Sequence, residues 1–423
     1  MSTRGLVAVV AALALIGCGS PASESASPSL TSAAPPTPTA APSAAPGSAV
    51  PSASPGVRST WISAGDLANA RLQTRAAVLG NGNVVVVGDD NICTPGGTWG
   101  GSERAEIGTL ATATWAAIGS LPKPRDRFVL LSLGDGSALV VGGTSLTTAT
   151  SGPSSFRSTF RLAAGGTGWA RSGDLNTARS APAAAVLADG RVLIAGGYYT
   201  PSLHMLRSAE VFSPSTGAWS TTGSLSTARY GATAVTLADG RVLVVGGWAD
   251  VVDGAAPLYG IHPVLASTEL YDPATGLWSA GGDLPQGVAE ASVVALKDGG
   301  ALLVVGLVVT RFDPGSGMWT VAASMIGSSR ARTLVALPDG TVLAAGGLIG
   351  EEGHAKYSTE AEIYDPATDM WTATAPMPVA RSSGTAVLLE DGSVLIVGGA
   401  FGNGALGDPY CPMGGLAAVR YIP

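Results

Sequence analysis

Seven tryptophans and seven tight turns recur in step along the chain and predict an all-β fold, a ring of seven four-stranded sheets. The tryptophans are Trp61, Trp115, Trp169, Trp219, Trp278, Trp319 and Trp371. The turns are Asn81-Gly82, Asp135-Gly136, Asp189-Gly190, Asp239-Gly240, Asp298-Gly299, Asp339-Gly340 and Asp391-Gly392. Both series advance by the same steps of 54, 54, 50, 59, 41 and 52 residues, so each step is one structural unit. Composition agrees. Gly 59 and Pro 28 are high, charged residues are only 13%, and the apolar residues fall in short runs bounded by Gly, which is strand punctuation.

Each unit offers four strands. An apolar run leads into the Asp-Gly turn, a two-residue turn that needs positive φ, which glycine tolerates. A second run follows and ends in Gly-Gly, as in Arg191 to Gly197 and Ser393 to Gly399. A third ends in a Tyr-Asp-Pro-like turn, at Tyr271-Asp272-Pro273, Phe312-Asp313-Pro314 and Tyr364-Asp365-Pro366, and the tryptophan strand is the fourth. A four-stranded antiparallel unit of about 50 residues, repeated radially, is a propeller blade. The ends predict closure. Trp61 begins a fourth-type strand with no partners before it, and Leu416 to Pro423 form a third-type strand with Tyr421 in the tyrosine place. Joined, they complete a seventh blade and remove the free sheet edges.

The succession Asp-Gly, Val-Leu-Val-Gly-Gly, Glu-x-Tyr-Asp-Pro-x-Thr-Gly-x-Trp resembles the kelch repeat, most clearly at Asp239 to Trp278 and Asp339 to Trp371. The resemblance runs from about Trp61 to Pro423. It departs in the first unit, which has Asn81, a lone Gly88 and Ile107-Gly108, and in the fifth, which has Gly306-Leu307. It implies a seven-bladed kelch-type β-propeller of the galactose-oxidase central-domain type, closed by pairing of the N- and C-terminal strands. Kelch propellers include copper radical oxidases and sugar mutarotases, so the resemblance permits catalysis as well as binding.

Residues 1–18 read as a bacterial lipoprotein signal. Arg4 precedes the apolar run Leu6 to Ile16, which is too short to span a bilayer and ends in Leu15-Ile16-Gly17-Cys18, similar to a lipobox. That similarity implies lipid on the Cys18 sulfur and an extracytoplasmic, membrane-anchored protein of the cell envelope. Residues 19–56 are Ser, Ala, Pro and Thr with one charge, Glu24, a composition that predicts a disordered tether. Residues 57–423 form the propeller. With a net charge of −7 and scattered Lys and Arg, the chain has no basic patch for nucleic acid.

Function is sought in what does not repeat. Connections after Gly-Gly vary widely in length and share one face of the ring, where rigid scaffolds carry binding loops. They hold Tyr198, Tyr199, Trp248, Asp250, Tyr259 and Glu351, a mixture suited to a glycan or protein ligand, and all three histidines, His204, His262 and His354. At the channel-lining position eight residues before each turn, Arg127 and Glu290 replace the small residues of most other units and are candidates for a polar ligand, with Arg75 and Arg332 nearby. An arginine ten residues before the turn recurs in five units (Arg71, Arg125, Arg179, Arg229, Arg381), which predicts a structural role on loop carbonyls. The histidines show no metal-ligand spacing, and no nucleophile motif or phosphate loop appears, so no catalytic residue, metal or cofactor is assigned. Cys93 and Cys411 follow the second strands of the first and last units, neighbours in a closed ring, and are expected to form a disulfide. The expected protein is a monomeric, lipid-anchored binding module. An enzyme of the kelch class and a structural envelope protein are the alternatives.

Overall fold

Each Asp-Gly turn joins the inner two strands of an antiparallel sheet, and the third and fourth strands follow outward. The computed structural model describes residues 59–90, 103–145, 153–200, 202, 204–250, 262–330, 332–350, 355–401 and 415–423, all within one unit, Ser59–Pro423. The expectations for Cys18, the signal, the tether, the Cys93–Cys411 pair, Tyr259 and Glu351 lie outside the described residues. In blade 4 the order is Thr233–Thr236, Val242–Val245, Ser267–Asp272, Leu277–Asp283, with Tyr271 opposite Trp278. Blades 2, 3, 5 and 6 repeat it.

Blades 7 and 1 are made jointly by one long strand, Thr60–Val78. Its first half pairs with the C-terminal strand Gly415–Ile422, placing Trp61 opposite Tyr421. Its second half pairs with Val84–Asp90 as the inner hairpin of blade 1. Gly415–Ile422 also pairs with Val394–Val397, so the seventh blade is built from both ends of the sequence, as its terminal half-repeats predict.

The second strands read as unbroken apolar runs because both of their faces are covered. Val84–Val87, Val192–Ala195 and Val242–Val245 are buried along their whole length. Seven buried clusters result, each spanning one interface between neighbouring blades, including the one between blades 7 and 1 that closes the ring. Tryptophans cross the same interfaces. Trp115 donates Nε1–H to the carbonyl oxygen of Ala64, Trp278 to Gly223, Trp371 to Ala323 and Trp61 to Ala375.

The Gly-Gly pairs mark one of the places where neighbouring blades approach closely. A Cβ on Gly196 would sit 2.4 Å from the carbonyl oxygen of Arg229 in the next blade, and one on Gly246 would sit 2.1 Å from that of Val288. The second glycine donates across the interface, from Gly197 N to Arg229 O at 2.8 Å and from Gly247 N to Val288 O at 2.7 Å. The recurrent arginines brace the same corner. Nη1 of Arg125, Arg179 and Arg229 donates at 2.8 Å to the carbonyl of Gly142, Gly196 and Gly246, and Arg71 and Arg381 reach Gly88 and Gly398 in the same way.

Arg332 corrects its sequence assignment. It does not stand at the channel but is buried against Glu360 and Glu362, both at 2.7 Å, filling the arginine corner of blade 6, where Ser329 occupies the usual position.

Candidate functional site

Eight residues before the turn, the chain reaches the mouth of the central channel, and in blades 2, 3, 4, 5 and 7 its backbone there is left-handed: φ is 52° at Arg127, 47° at Ala181, 62° at Gly231, 49° at Glu290 and 57° at Ser383. The peptides chain from blade to blade. Ala181 N donates to Arg127 O at 2.8 Å, Gly231 N to Ala181 O at 3.0 Å, and Glu290 N to Gly231 O at 2.8 Å. This hydrogen-bonded collar explains why non-glycine residues stay in a conformation costing about 1–3 kcal/mol each, and it aims their side chains together. Arg127 Nη1 meets Glu290 Oε1 at 3.5 Å, although the two are far apart in sequence, and Asp126 Oδ2 lies 3.7 Å from Arg127 Nε.

Beside this charge pair lies an aromatic step. Tyr230 stacks on Trp248 with centroids 4.9 Å apart and planes 25° apart, meets Tyr198 edge-on at 5.2 Å, and meets His262 edge-on at 5.9 Å. Pairing across the loop base sets this up, because Tyr230 bridges to Trp248 and Ser180 to Tyr198, each residue one place before the collar facing one just after Gly-Gly. Gly231 leaves room for the indole: a Cβ there would be 2.5 Å from Trp248 Cζ3 and 3.5 Å from Glu290 Cγ. Indole, phenol and carboxylate therefore share one surface.

The electrostatics are those of a partly desolvated charge pair. Burial raises the Glu290 pKa above the ordinary carboxylate value, and the pull of Arg127 and Arg75 does not cancel it. Burial opposes the charge of Arg127, but Tyr198, Asp126, Glu290 and Tyr230 outweigh it and hold its pKa above normal. The Tyr198 and Tyr230 hydroxyls are pushed up, chiefly by burial, and remain protonated donors at neutral pH.

Of the residues singled out from sequence, Tyr198, Trp248, Arg127 and Glu290 meet at this mouth. Asp250 stays on the exposed loop, where its Oδ1 accepts from Met205 N at 3.4 Å. Tyr199 turns away and lines a separate cleft between blades 2 and 3 with His204. Tyr230 and Asp126 were missed. Their signal lies one residue before the collar, where Tyr230 is the only aromatic among Leu72, Asp126, Ser180, Ala289, Arg330 and Ser382.

The kelch motif matches residues 228–285 and 329–378, which are blades 4 and 6. Those matches, with seven blades closed through both termini, decide the architecture. The chain is a seven-bladed β-propeller that carries kelch motifs. Among solved structures, the propeller is similar to a fungal alcohol oxidase of the AA5 family in complex with copper, at 17% identity and TM-score 0.61, covering 86% of this chain and 76% of that one. It is also similar to YjhT at 16% identity and TM-score 0.49, over 84% and 96% of the two chains. No curated protein matches the sequence. At these identities the likeness is one of fold.

Among the described residues, the donors at the channel mouth do not make up a copper centre. Among the described residues the mouth holds one imidazole, His262, whose Nδ1 lies 3.3 Å from the carbonyl oxygen of Ala249, and no three His, Cys, Asp or Glu side chains converge.

Proposed function

We propose that this kelch propeller is a lipid-anchored, extracytoplasmic module that binds glycan at its channel mouth. The observation that carries the reading is the Tyr198–Tyr230–Trp248 step abutting the Arg127–Glu290 pair. Sugar rings present apolar C–H faces and a rim of hydroxyls. An aromatic step with two phenol donors supports stacking on the face, and a guanidinium beside a carboxylate offers donor and acceptor to the rim. The left-handed collar holds these groups in place before a ligand arrives, which lowers the ordering cost of binding. The Cys18 lipobox and the Ser/Ala/Pro-rich segment supply the anchor and reach in this reading.

A glycan array probed with the full-length chain, followed by titration of the strongest binder, tests it. Trp248→Ala and Tyr230→Ala are each expected to weaken binding by about 30-fold or more, as for a buried aromatic anchor, and to lower Tm by no more than about 4 °C. Binding that survives both substitutions would place the ligand elsewhere. Cys18→Ser is expected to release the protein from membranes or leave an uncleaved precursor, and unchanged membrane retention would remove the anchor from the proposal.

A further inference from the structure

Four blades neutralise their buried arginine with a glutamate from the third strand. Arg71 meets Glu106 at 2.7 Å, Arg179 meets Glu210 at 2.8 Å, Arg229 meets Glu269 at 2.8 Å, and Arg332 meets Glu362 at 2.7 Å. The glutamate also accepts backbone N–H groups from the segment before the arginine, Thr177 in blade 3, Thr227 in blade 4 and Gly327 in blade 6. Blade 5 has lost both partners, with Val288 and Thr310 in their places, so no charge is stranded.

Blade 2 keeps the arginine and loses the carboxylate. Phe160 stands where the glutamate would be, since Val140 pairs with Phe160 as Val244 pairs with Glu269. Arg125 is nevertheless buried, 2% exposed. Its Nη2 reaches Ser158 Oγ at 3.4 Å, whereas Nη2 of Arg179 and Arg229 holds both a serine and a glutamate. The rings of Phe156 and Phe160 lie 4.7 and 5.0 Å from its guanidinium carbon. Without a carboxylate, desolvation pulls its pKa down to about 10. Arg381 in blade 7 also faces an apolar residue, Val419.

Arg125 also borders open space. A cleft of about 840 Å³ between blades 2 and 3 is lined by Arg125, Lys123, Arg157, Arg171, Asn176 and Tyr199. Arg171 is matched by Asp174 at 2.7 Å, which leaves Lys123, Arg125 and Arg157 as a cationic group in a protein of net charge −7. Lys123 occupies the backbone position whose N–H meets the glutamate in blades 3, 4 and 6.

We propose that this cleft binds an organic carboxylate, which completes on Arg125 the ion pair that a glutamate completes in four other blades. Its size admits a small polar molecule beyond the carboxylate itself. The site is separate from the channel mouth and stands whether or not the mouth binds glycan.

Calorimetric titration of the full-length chain with sodium glucuronate, against glucose and sodium chloride at matched ionic strength, tests it, together with the shift of the Arg125 Nε–H resonance. Glucuronate is expected to bind and move that resonance, and glucose and chloride are expected to leave it in place. Phe160→Glu returns an internal carboxylate and is expected to abolish glucuronate binding while leaving glycan binding by the Tyr230–Trp248 step intact. Should Phe160→Glu fail to fold, Lys123→Ala, on the exposed rim, is expected to weaken glucuronate about fivefold, the effect of one partly screened charge. No shift of the Arg125 resonance, an equal shift with glucose, or full glucuronate affinity in both Phe160→Glu and Lys123→Ala would overturn the proposal.

Discussion

At the residue scale, Glu290 shows how a binding group differs from a structural one. It holds a left-handed backbone, sits partly out of water beside Arg127, and has its pKa raised by burial. A carboxylate whose folded pKa lies above its unfolded value stabilises the fold only in its protonated form. That contribution is complete below the unfolded pKa and is lost as pH rises through the folded one. At neutral pH the ionised Glu290 therefore costs stability. Glu290→Gln is expected to melt at or above the native Tm at pH 7, and the gap is expected to shrink on acidification as the native side chain takes up its proton. In the same reading, glycan affinity of the native chain falls as pH drops into the raised carboxylate range, and Glu290→Gln flattens that profile. Thermal melts and titrations between pH 4 and 8 check both, and a Glu290→Gln chain much less stable at pH 7 would make Glu290 a structural group. The channel position of this residue was legible, because its size breaks a register of Ala181, Gly231 and Ser383. The sequence leaves its partner open, as Arg127 or solvent, since pairing Arg127 with Glu290 depends on ring curvature rather than on spacing.

At the element scale, the third strand decides whether a buried arginine is an asset. In blade 4, Glu269 joins Arg229 to the N–H groups of Ser226 and Thr227. Glu269→Ala strands a buried guanidinium and is expected to cost about 3–5 kcal/mol. Arg229→Val combined with Glu269→Thr copies blade 5, and removing both charges together is expected to recover part of that loss, measured by urea unfolding. A double variant as unstable as the sum of its singles would show that the pair acts through packing alone. The strands themselves were readable because hairpin turns and apolar runs are local. The glutamate's role was not, since its arginine partner lies 31 residues away in blade 3 and 40 in blade 4, across Gly-Gly loops of differing length. Arg332 was misplaced for the same reason. It enters the corner three residues late, from a blade whose usual position is Ser329, and only the fold shows that the side chain arrives at the same carboxylate.

For the whole molecule, everything depends on one seam. Thr60–Val78 serves two blades, and Gly415–Ile422 lies between its first half and Val394–Val397. Seven interfaces are buried only if this seam forms, and it joins residues more than 300 positions apart, so it is the slowest contact for the chain to find. Tyr421 anchors it. The side chain is 2% exposed, its ring is 5.0 Å from Trp61, and its hydroxyl lies 2.9 Å from Thr374 Oγ1. Tyr364 is its counterpart within the ring, fully buried and 5.1 Å from Trp371. Truncation of either to Ala is expected to cost about 3–5 kcal/mol at equilibrium. The kinetics are expected to separate them. If the seam closes after the other blades have formed, Tyr421→Ala acts late, leaving the folding rate nearly native and speeding unfolding, whereas Tyr364→Ala also slows folding. Deleting residues 415–423 opens strand edges on both sides of the seam and is expected to give an aggregating chain. Adding a peptide of that sequence during refolding is expected to restore a soluble monomer. A deletion chain that stays monomeric with native Tm would show that the ring holds without its closing strand.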